Sequence, residues 1–226
     1  MKKVLLIIIA TLLSVPTIQA QNSTSGTDFW LTFGQNGNMS SSFINLQIRI
    51  VSGNNPTEGR IYFTNLDTYV EFNIPAQQVY TYNLNQIEKA AVYNGTMGVS
   101  NKSIHITANH QVTVYALNYI SPSTDATNLF PVTALGTDYY QISYSLSISI
   151  NYFKDAYAVV AIENNTQVYH NGILETTLNA GEVYYRTDPY PTDMTGVHIT
   201  SDKPVALFAV NQRTVINVGN SNHLFQ

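Results

Sequence analysis

The sequence predicts an all-β protein arranged as two related, antiparallel β-sandwich-like units in tandem. Apolar and polar residues alternate with a period of two along much of the chain, as they do in strands that bury one face. The 226 residues include 16 Tyr and 9 Phe together with many Asn and Thr, a composition that favours strands and turns over helices. Three segments also recur in the same order in both halves of the chain, which indicates an internal duplication.

The N-terminal segment, residues 1–20, has the features of a cleaved signal peptide. Lys2 and Lys3 precede the apolar run Val4–Val15, and Ala20 supplies the small residue at which cleavage is expected. The run is too short to cross a bilayer core, which needs about 20 residues. We therefore expect an exported mature chain without a transmembrane segment, extracellular or at the cell surface. An exported domain without Cys favours a bacterial source, which we expect to be Gram-negative.

Charge and cysteine content exclude several classes of protein. The formal net charge is −4, whereas nucleic-acid binders carry a basic surface, so we expect no nucleic-acid partner. The absence of Cys excludes a disulfide scaffold, a Cys-ligated zinc site and thiol catalysis.

The longest repeat pairs Ile104–Asn118 with Val197–Asn211, and six of the fifteen positions are identical. A Gly-Thr-Asp-aromatic segment precedes each copy, at Gly26–Trp30 and at Gly136–Tyr140. A shorter match follows each copy, at Asn128–Phe130 and His223–Phe225. These matches predict a first β unit over 21–135 and a second over 136–226. We expect the second unit to be incomplete at its C-terminal end, because the residues that follow Phe130 in the first unit have no counterpart after Phe225.

The first unit contains two clear strand patterns and one helical segment. Ile44–Val51 alternates as a strand with one buried face. Arg60–Thr64 and Tyr69–Ile74 flank a turn and are predicted to form a hairpin. Only Leu84–Tyr93 has helical composition, and we expect a short helix or helical turn there. About seven strands per unit of roughly 100 residues is the spacing of a sandwich.

The second unit contains a sharper hairpin pattern. Thr166–His170 and Ile173–Thr176 are joined by Asn171-Gly172, and this dipeptide predicts a two-residue turn because both residues accept a positive φ. Val205–Asn211 is more continuously apolar, as is Val112–Tyr119 in the first unit. We predict that both segments are central strands buried on both faces.

The repeated segments also carry a family resemblance. GTDFW near the mature N-terminus, the two strands IHITANHQVTVYALN and VHITSDKPVALFAVN, and the junction NLFPVTALGTDYY resemble the IgGFc-binding protein N-terminal domain family. The resemblance covers most of 26–226 and implies a secreted or surface-exposed module, often the first part of a longer multidomain protein. The animal namesake is a mucus-associated protein associated with binding the Fc part of immunoglobulin G. The family offers no catalytic motif, so the resemblance assigns no catalytic role to any residue here.

The residues themselves assign no catalytic, cofactor-binding or metal-binding residue. His105 and His198 occupy equivalent repeat positions, and a structural role is favoured over a ligand or pH-sensing pair because a metal site needs three or four convergent ligands. We predict that the glycine of each Gly-Thr-Asp-aromatic segment permits an unusual turn, in which Asp28 and Asp138, or the Thr before each of them, bond back to the backbone. Trp30 is expected to be a core anchor rather than a platform for a sugar.

The loop from Asp188 to Asp193 is the most distinctive connection. Its Pro-Tyr-Pro centre predicts a rigid link between strands, and it could instead present Tyr190 to a partner. The two carboxylates could also hold calcium together with backbone carbonyls. These three interpretations stay open at this point.

Two segments that follow equivalent strands differ in sequence while their flanks agree, which is typical of recognition loops on a fixed scaffold. They span 119–127 and 212–222. The candidate partner-binding residues are Tyr119, Ile120, Asp125, Tyr190, Val215 and Ile216.

The leading hypothesis is a secreted or cell-surface, non-enzymatic binding or adhesion module with a protein or glycan ligand. The alternatives are a glycan-binding or accessory module of a secreted carbohydrate-active protein, and a purely structural spacer.

Overall fold

The structure is a computed structural model that describes residues 23–37, 39–121, 123–144, 153–188, 192–218 and 221–225. The predicted signal peptide and Tyr190 lie outside the described residues. Among the described residues strand far exceeds helix, and the two large sheets are antiparallel and curled like half-barrels. The prediction of an all-β protein is confirmed.

Within the residues described, the first part of the chain forms ten strands and one short α-helix. After the last of these strands, Val132–Ala134 forms a single 3₁₀ turn. The helix is α1, Gln86–Val92. The strands are β1 Ser25–Leu31, β2 Phe33–Gly34, β3 Asn45–Ser52, β4 Thr57–Phe63, β5 Thr68–Ile74, β6 Val79–Asn83, β7 Tyr93–Asn94, β8 Gly98–Ser100, β9 Ile104–Ile120 and β10 Ser123–Asn128.

The second part of the chain, as far as the structure describes it, repeats this plan with eight strands. They are β11 Gly136–Tyr140, β12 Asp155–Ala161, β13 Thr166–His170, β14 Ile173–Leu178, β15 Val183–Thr187, β16 His198–Asn211, β17 Thr214–Val218 and β18 Ser221–Phe225. The last two form a hairpin of their own.

The two large sheets have the same strand order. The first sheet runs β5-β4-β9-β3-β6 with β1 and β10 also paired to β9, and the second runs β14-β13-β16-β12-β15 with β11 paired to β16. The registers agree as well, because Trp30 lies opposite His105 and Tyr140 opposite His198. A bulge follows the glycine in both β1 and β11. The repeat seen in the sequence is therefore also a repeat of topology.

Strand β8 pairs with the sheet formed by the other half of the chain. β8 comes from the first half of the chain but pairs with β15 at the edge of the second sheet. The order of the second sheet is therefore extended to β14-β13-β16-β12-β15-β8.

The predicted hairpins and helix are confirmed. Asn171 and Gly172 have φ angles of 50° and 79°, so the two-residue turn between β13 and β14 uses the left-handed region as expected. Helix α1 begins after Asn85, whose Oδ1 accepts hydrogen bonds from the amides of Ile87 and Glu88. The Glu88 carboxylate accepts one from the Asn85 amide in return, which completes a capping box.

The prediction that Val112–Tyr119 is buried on both faces is wrong. Its side chains alternate, and Tyr115 is 41% exposed on the outer face of the first sheet. β12, in contrast, is buried over its whole length. One face of β12 contributes Tyr157 to the core of the second unit, and the other face places Ala156, Ala158 and Val160 against the first unit. The difference arises because the outer face of the second sheet is covered by the first unit along β12, whereas the outer face of the first sheet is open to solvent at Tyr115.

A buried carboxylate fixes two connections to the end of β12. Asp155 accepts hydrogen bonds from the Ser143 hydroxyl at 2.6 Å and from the Met194 amide at 2.8 Å. Desolvation raises the pKa of Asp155, and these hydrogen bonds oppose the shift. The residue therefore serves to anchor the segments around Ser143 and Met194.

Candidate functional site

A cleft of about 760 Å³ lies where the second sheet packs against the first unit. Its sides are formed by the β1–β2 segment, by β10 and the residues after it, and by β16. Clefts of a few hundred Å³ with apolar linings and a few polar groups are the usual form of ligand sites. Its lining includes the aromatic residues Trp30, Tyr139 and Phe208 and the polar residues Asp125, Asn128 and Asn211.

At one end of the cleft, the backbone of Gly34 packs closely against the Val210 side chain. A β-carbon at Gly34 would lie 2.6 Å from both γ-carbons of Val210, so only glycine fits there without a shift. Next to this contact, the Gly37 amide donates to the Gln212 carbonyl at 2.7 Å. The Gln212 side-chain amide donates to Gln35 at 2.9 Å. These bonds join the two units directly beside the cleft.

Two aromatic rings of the cleft are held in place by neighbours. The Trp30 ring stacks on His105 with centroids 4.0 Å apart, and His105 Nε2 lies 2.8 Å from Asp28 Oδ1. The Tyr139 hydroxyl donates to the Val205 carbonyl at 2.8 Å. Because these side chains are already fixed, binding a ligand costs little ordering entropy at either ring.

The polar lining of the cleft is rich in acceptors. Asp125 on β10 provides the carboxylate. Oδ1 of Asn128 and Oδ1 of Asn211 are sealed from solvent and have no hydrogen-bond donor among the described residues. Asn118 is satisfied, because it accepts from the Asn36 amide group at 3.2 Å and donates to the Gly34 carbonyl at 3.0 Å. Among the described residues, no Lys, Arg or His lines the cleft.

The electrostatic environment of Asp125 follows from this position. Desolvation by the surrounding protein raises the pKa of Asp125, and a hydrogen bond from the Ala126 amide opposes the shift. The side chain is nevertheless exposed, so water screens much of this effect. The carboxylate is thus both placed in the cleft and open to a ligand.

The segments predicted as recognition loops are β-hairpins. Tyr119 and Ile120 lie at the end of β9, and β10 pairs back along them. Ile120 packs against the first core, whereas Tyr119 is 36% exposed. Val215 and Ile216 lie on β17, opposite β18. Of the predicted residues whose side chains the structure describes, which are Tyr119, Ile120 and Asp125, Asp125 lines the cleft.

The two carboxylates proposed for calcium have other partners. Asp188 Oδ1 lies 3.4 Å from Arg186 Nε, and Asp193 Oδ1 accepts from the Thr195 amide at 2.9 Å. Nowhere in the described part of the chain do three or more His, Asp or Glu side chains gather in a way that could hold a metal ion.

The prediction for Asp28 and Asp138 is corrected by the structure. Each bonds to a histidine on the neighbouring strand and not to the backbone of a turn, at 2.8 Å in both units. The histidine stacks on an aromatic ring in both cases, and the centroids of Tyr140 and His198 are 4.5 Å apart. Trp30 is not the core anchor either, because its neighbour Phe29 fills the core and Trp30 lies at the junction of the units. The bulge between glycine and aspartate sets this orientation.

A second cluster of titratable groups lies inside the second sheet, and the sequence reasoning missed it. Arg186 pairs with Glu175, whose other oxygen accepts from the Tyr184 hydroxyl at 2.6 Å. His170 Nδ1 lies 3.2 Å from the Tyr157 hydroxyl. Desolvation, followed by the charge of Arg186, lowers the pKa of His170. The one available signal was the alternation of β15, which places Arg186 on the same face as the buried Tyr184.

The comparisons with known proteins identify the part of the chain that forms much of this cleft. Residues 125–226 match the family model described as IgGFc binding protein. The match covers just under half of the chain and begins at Asp125, so it includes β16 and both unpaired Asn oxygens. It confirms the resemblance to the IgGFc-binding family over these residues. No curated protein and no solved structure matches the chain.

The IgGFc-binding family is a non-enzymatic family of binding domains that are typically extracellular. The match therefore supports a β-rich binding module and suggests a protein-binding role. Among the described residues, no helix has the length and apolar character needed to span a membrane.

Proposed function

We propose that this chain is an exported, cell-surface or extracellular adhesion module of a Gram-negative bacterium, and that it binds a protein ligand in the cleft between its two units. The observation that carries the proposal is the cleft itself, a preformed site of about 760 Å³ whose β10 and β16 sides fall within the IgGFc-binding match. Fixed aromatic rings and the exposed Asp125 carboxylate give it affinity and orientation without a moving part.

The chemistry of the cleft supports binding and not catalysis. Acid–base catalysis needs groups whose environments hold their pKa values apart. Among the described lining residues the titratable groups are Asp125 and Tyr139. Desolvation raises the pKa of Tyr139, and its hydroxyl is already bonded to the Val205 carbonyl. The described lining therefore offers Asp125 no second group to act as its acid or base partner in catalysis.

Binding is tested with the full chain immobilised on a biosensor and the Fc fragment of immunoglobulin G as the first soluble protein, followed by a panel of extracellular proteins. We expect saturable binding that Thr127→Trp weakens by at least about tenfold, because Thr127 is exposed, lines the cleft and lies on the same face of β10 as Asp125, so the new indole fills the cleft. Thr124→Trp is the matched control, since Thr124 is also exposed on β10 but does not line the cleft. Equal binding by both variants would place the ligand elsewhere, and no binding by any protein would reject the proposal.

Export is tested separately by expressing the full chain in a Gram-negative host and weighing the product. We expect a mature chain that lacks residues 1–20, outside the cytoplasm. An uncleaved chain retained in the cytoplasm would contradict this part of the proposal.

A glycan ligand is the second candidate, and one observation favours it. The cleft combines Trp30, Tyr139 and Phe208 with the side-chain amides of Asn128 and Asn211. Sugars present apolar ring faces, which the aromatic rings can contact, and hydroxyl donors, from which the exposed Asp125 carboxylate can accept hydrogen bonds. A glycan array probed with the full chain distinguishes the two candidates, because a protein-binding site gives no saturable signal with any sugar.

A further inference from the structure

We propose that the cleft recognises a cation, the ammonium or guanidinium group of a Lys or Arg side chain on the protein ligand. This inference rests on the proposed function and names the chemical group that the site selects. Three features of the described lining carry it: its charge, its unpaired oxygens and its aromatic rings.

Among the described lining residues, the charge of the cleft is negative. Asp125 is the charged side chain among the described lining residues, and no cation of the protein lines the cleft to neutralise it. The carboxylate is exposed, so it can accept hydrogen bonds directly from a ligand. Charge-assisted bonds of this kind are shorter and stronger than bonds between neutral groups.

The unpaired amide oxygens strengthen this negative potential. Oδ1 of Asn128 and Oδ1 of Asn211 receive no hydrogen bond from the described residues. No donor hydrogen therefore compensates the partial negative charge of either oxygen, in a region from which water is largely excluded and where electrostatic effects are stronger than in bulk water. Because solvent does not reach these atoms, they act on a ligand through their field rather than by contact.

The aromatic lining suits the rest of a cationic side chain. Trp30, Tyr139 and Phe208 are partly buried in the cleft and present ring surface to it. A Lys or Arg side chain can lay its methylene stem on such rings while its charged end reaches a carboxylate. Cations are also attracted to aromatic faces, Trp most strongly. An anionic ligand, in contrast, would meet Asp125 without any compensating charge.

The single Trp of the chain makes the test direct, because Trp30 lines the cleft and reports on its occupancy by fluorescence. The probes are N-acetyl-lysine methylamide and N-acetyl-arginine methylamide, with N-acetyl-norleucine methylamide as the uncharged analogue of similar length. We expect both cations to change the Trp30 emission saturably in the full chain, at least about tenfold more tightly than norleucine. Raising the salt concentration should weaken this binding, since the pair is partly exposed.

Asp125→Asn should weaken binding of both cations by about tenfold and leave the weak norleucine response unchanged. Glu163→Gln is the matched control, because it removes the same charge from an exposed residue that does not line the cleft. Circular dichroism verifies that both variants keep their strand content, as expected for two exposed positions. Equal affinity for norleucine and lysine, or full affinity in Asp125→Asn, would overturn the proposal.

The failures of the two proposals can be told apart. If Thr127→Trp blocks a protein ligand while neither cation changes the Trp30 emission, the cleft binds protein by other contacts and the cation proposal is wrong. If the cations bind through Asp125 but no protein ligand is found, the cation site stands and the adhesion function fails. A saturable response to monosaccharides alone would favour the glycan candidate and overturn the cation proposal.

Discussion

Gly34 is the residue at which a single methyl group should disturb the junction of the two units. Gly34→Ala places a β-carbon 2.6 Å from the γ-carbons of Val210, and overpacking of this kind costs about 1–3 kcal/mol. We expect the free energy of unfolding in urea to fall by that amount. Gly53→Ala is the control, because its β-carbon would be 3.6 Å from the nearest atom, the Gln111 carbonyl oxygen.

The same contact can be tested by restoring the space. Val210→Ala removes both γ-carbons that meet the new methyl group. In the double variant we expect the two changes to cost less than the sum of the single changes, since residues in contact are not additive. Simple additivity would mean that Gly34 is required for another reason.

His170 should make the stability of the protein sensitive to mild acid. Its pKa in the folded protein is lowered from the ordinary 6.5, so the unfolded chain takes up this proton first as the pH falls. Stability attributable to His170 is therefore present above pH 6.5 and is lost progressively as the pH falls from there toward the lowered pKa. In His170→Gln, we expect a smaller drop in melting temperature between pH 7.5 and 5.5 than in the unaltered protein.

The substitution itself should cost about 1 kcal/mol at pH 7.5, where it weakens the contact with the Tyr157 hydroxyl. His110→Gln serves as the control, because His110 is exposed and bonds only to its neighbour Asn109 among the described residues. An unchanged pH dependence in His170→Gln would show that other groups control the acid response.

At the scale of elements, helix α1 depends on its cap. Asn85→Ala removes the acceptor for two amides of the first turn and should lower the free energy of unfolding by about 1 kcal/mol. Asn85→Asp keeps the acceptor and should restore most of that loss, whereas Gln86→Ala at the adjacent exposed position should change little. Urea denaturation of the three variants gives the comparison, and equal stabilities would mean that packing alone holds the helix.

The elements were predictable from sequence where their causes are local. The turn at Asn171-Gly172, the helix after Asn85 and the alternation of β3 all depend on neighbouring residues, and each appears where the pattern placed it. The cleft was not predictable, because it depends on which sheet face another unit covers. The Tyr157–His170 contact was not predictable either, because it joins β12 to β13, which are separated in the sheet by β16. Trp30 is an example. The alternation of the residues around it predicts a strand, but it does not predict whether a side chain on the outer face of that strand contacts solvent or protein.

At the scale of the whole molecule, equivalent positions in the two sheets face different surroundings. Arg49 lies opposite Tyr115 in the first sheet, and Ala158 lies opposite Phe208 in the second, so Arg49 and Ala158 correspond in the repeat. Arg49 is exposed, whereas Ala158 is fully buried at the junction of the units. The duplication therefore kept its strand order while one outer face became an interface.

Exchanging these residue types should have opposite consequences. Ala158→Arg places an unpaired charge in the junction and should destabilise the protein by about 3–5 kcal/mol in urea denaturation. Arg49→Ala removes an exposed side chain and should change the stability by less than about 0.5 kcal/mol. If both substitutions were tolerated equally, the packing between the second sheet and the first unit would be dispensable.

The pairing of β8 with β15 bears on aggregation. An unpaired sheet edge offers a row of free amides and carbonyls that another chain can extend. β8 occupies that edge over Val183–Tyr185, and its residues are synthesised before the strand they protect. Dividing the chain between residues 135 and 136 would remove the first unit, and with it the strand β8 that covers the β15 edge. A fragment of residues 136–226 should therefore associate through the bared β15 edge, and a peptide containing Gly98–Ser100 should suppress that association in light scattering.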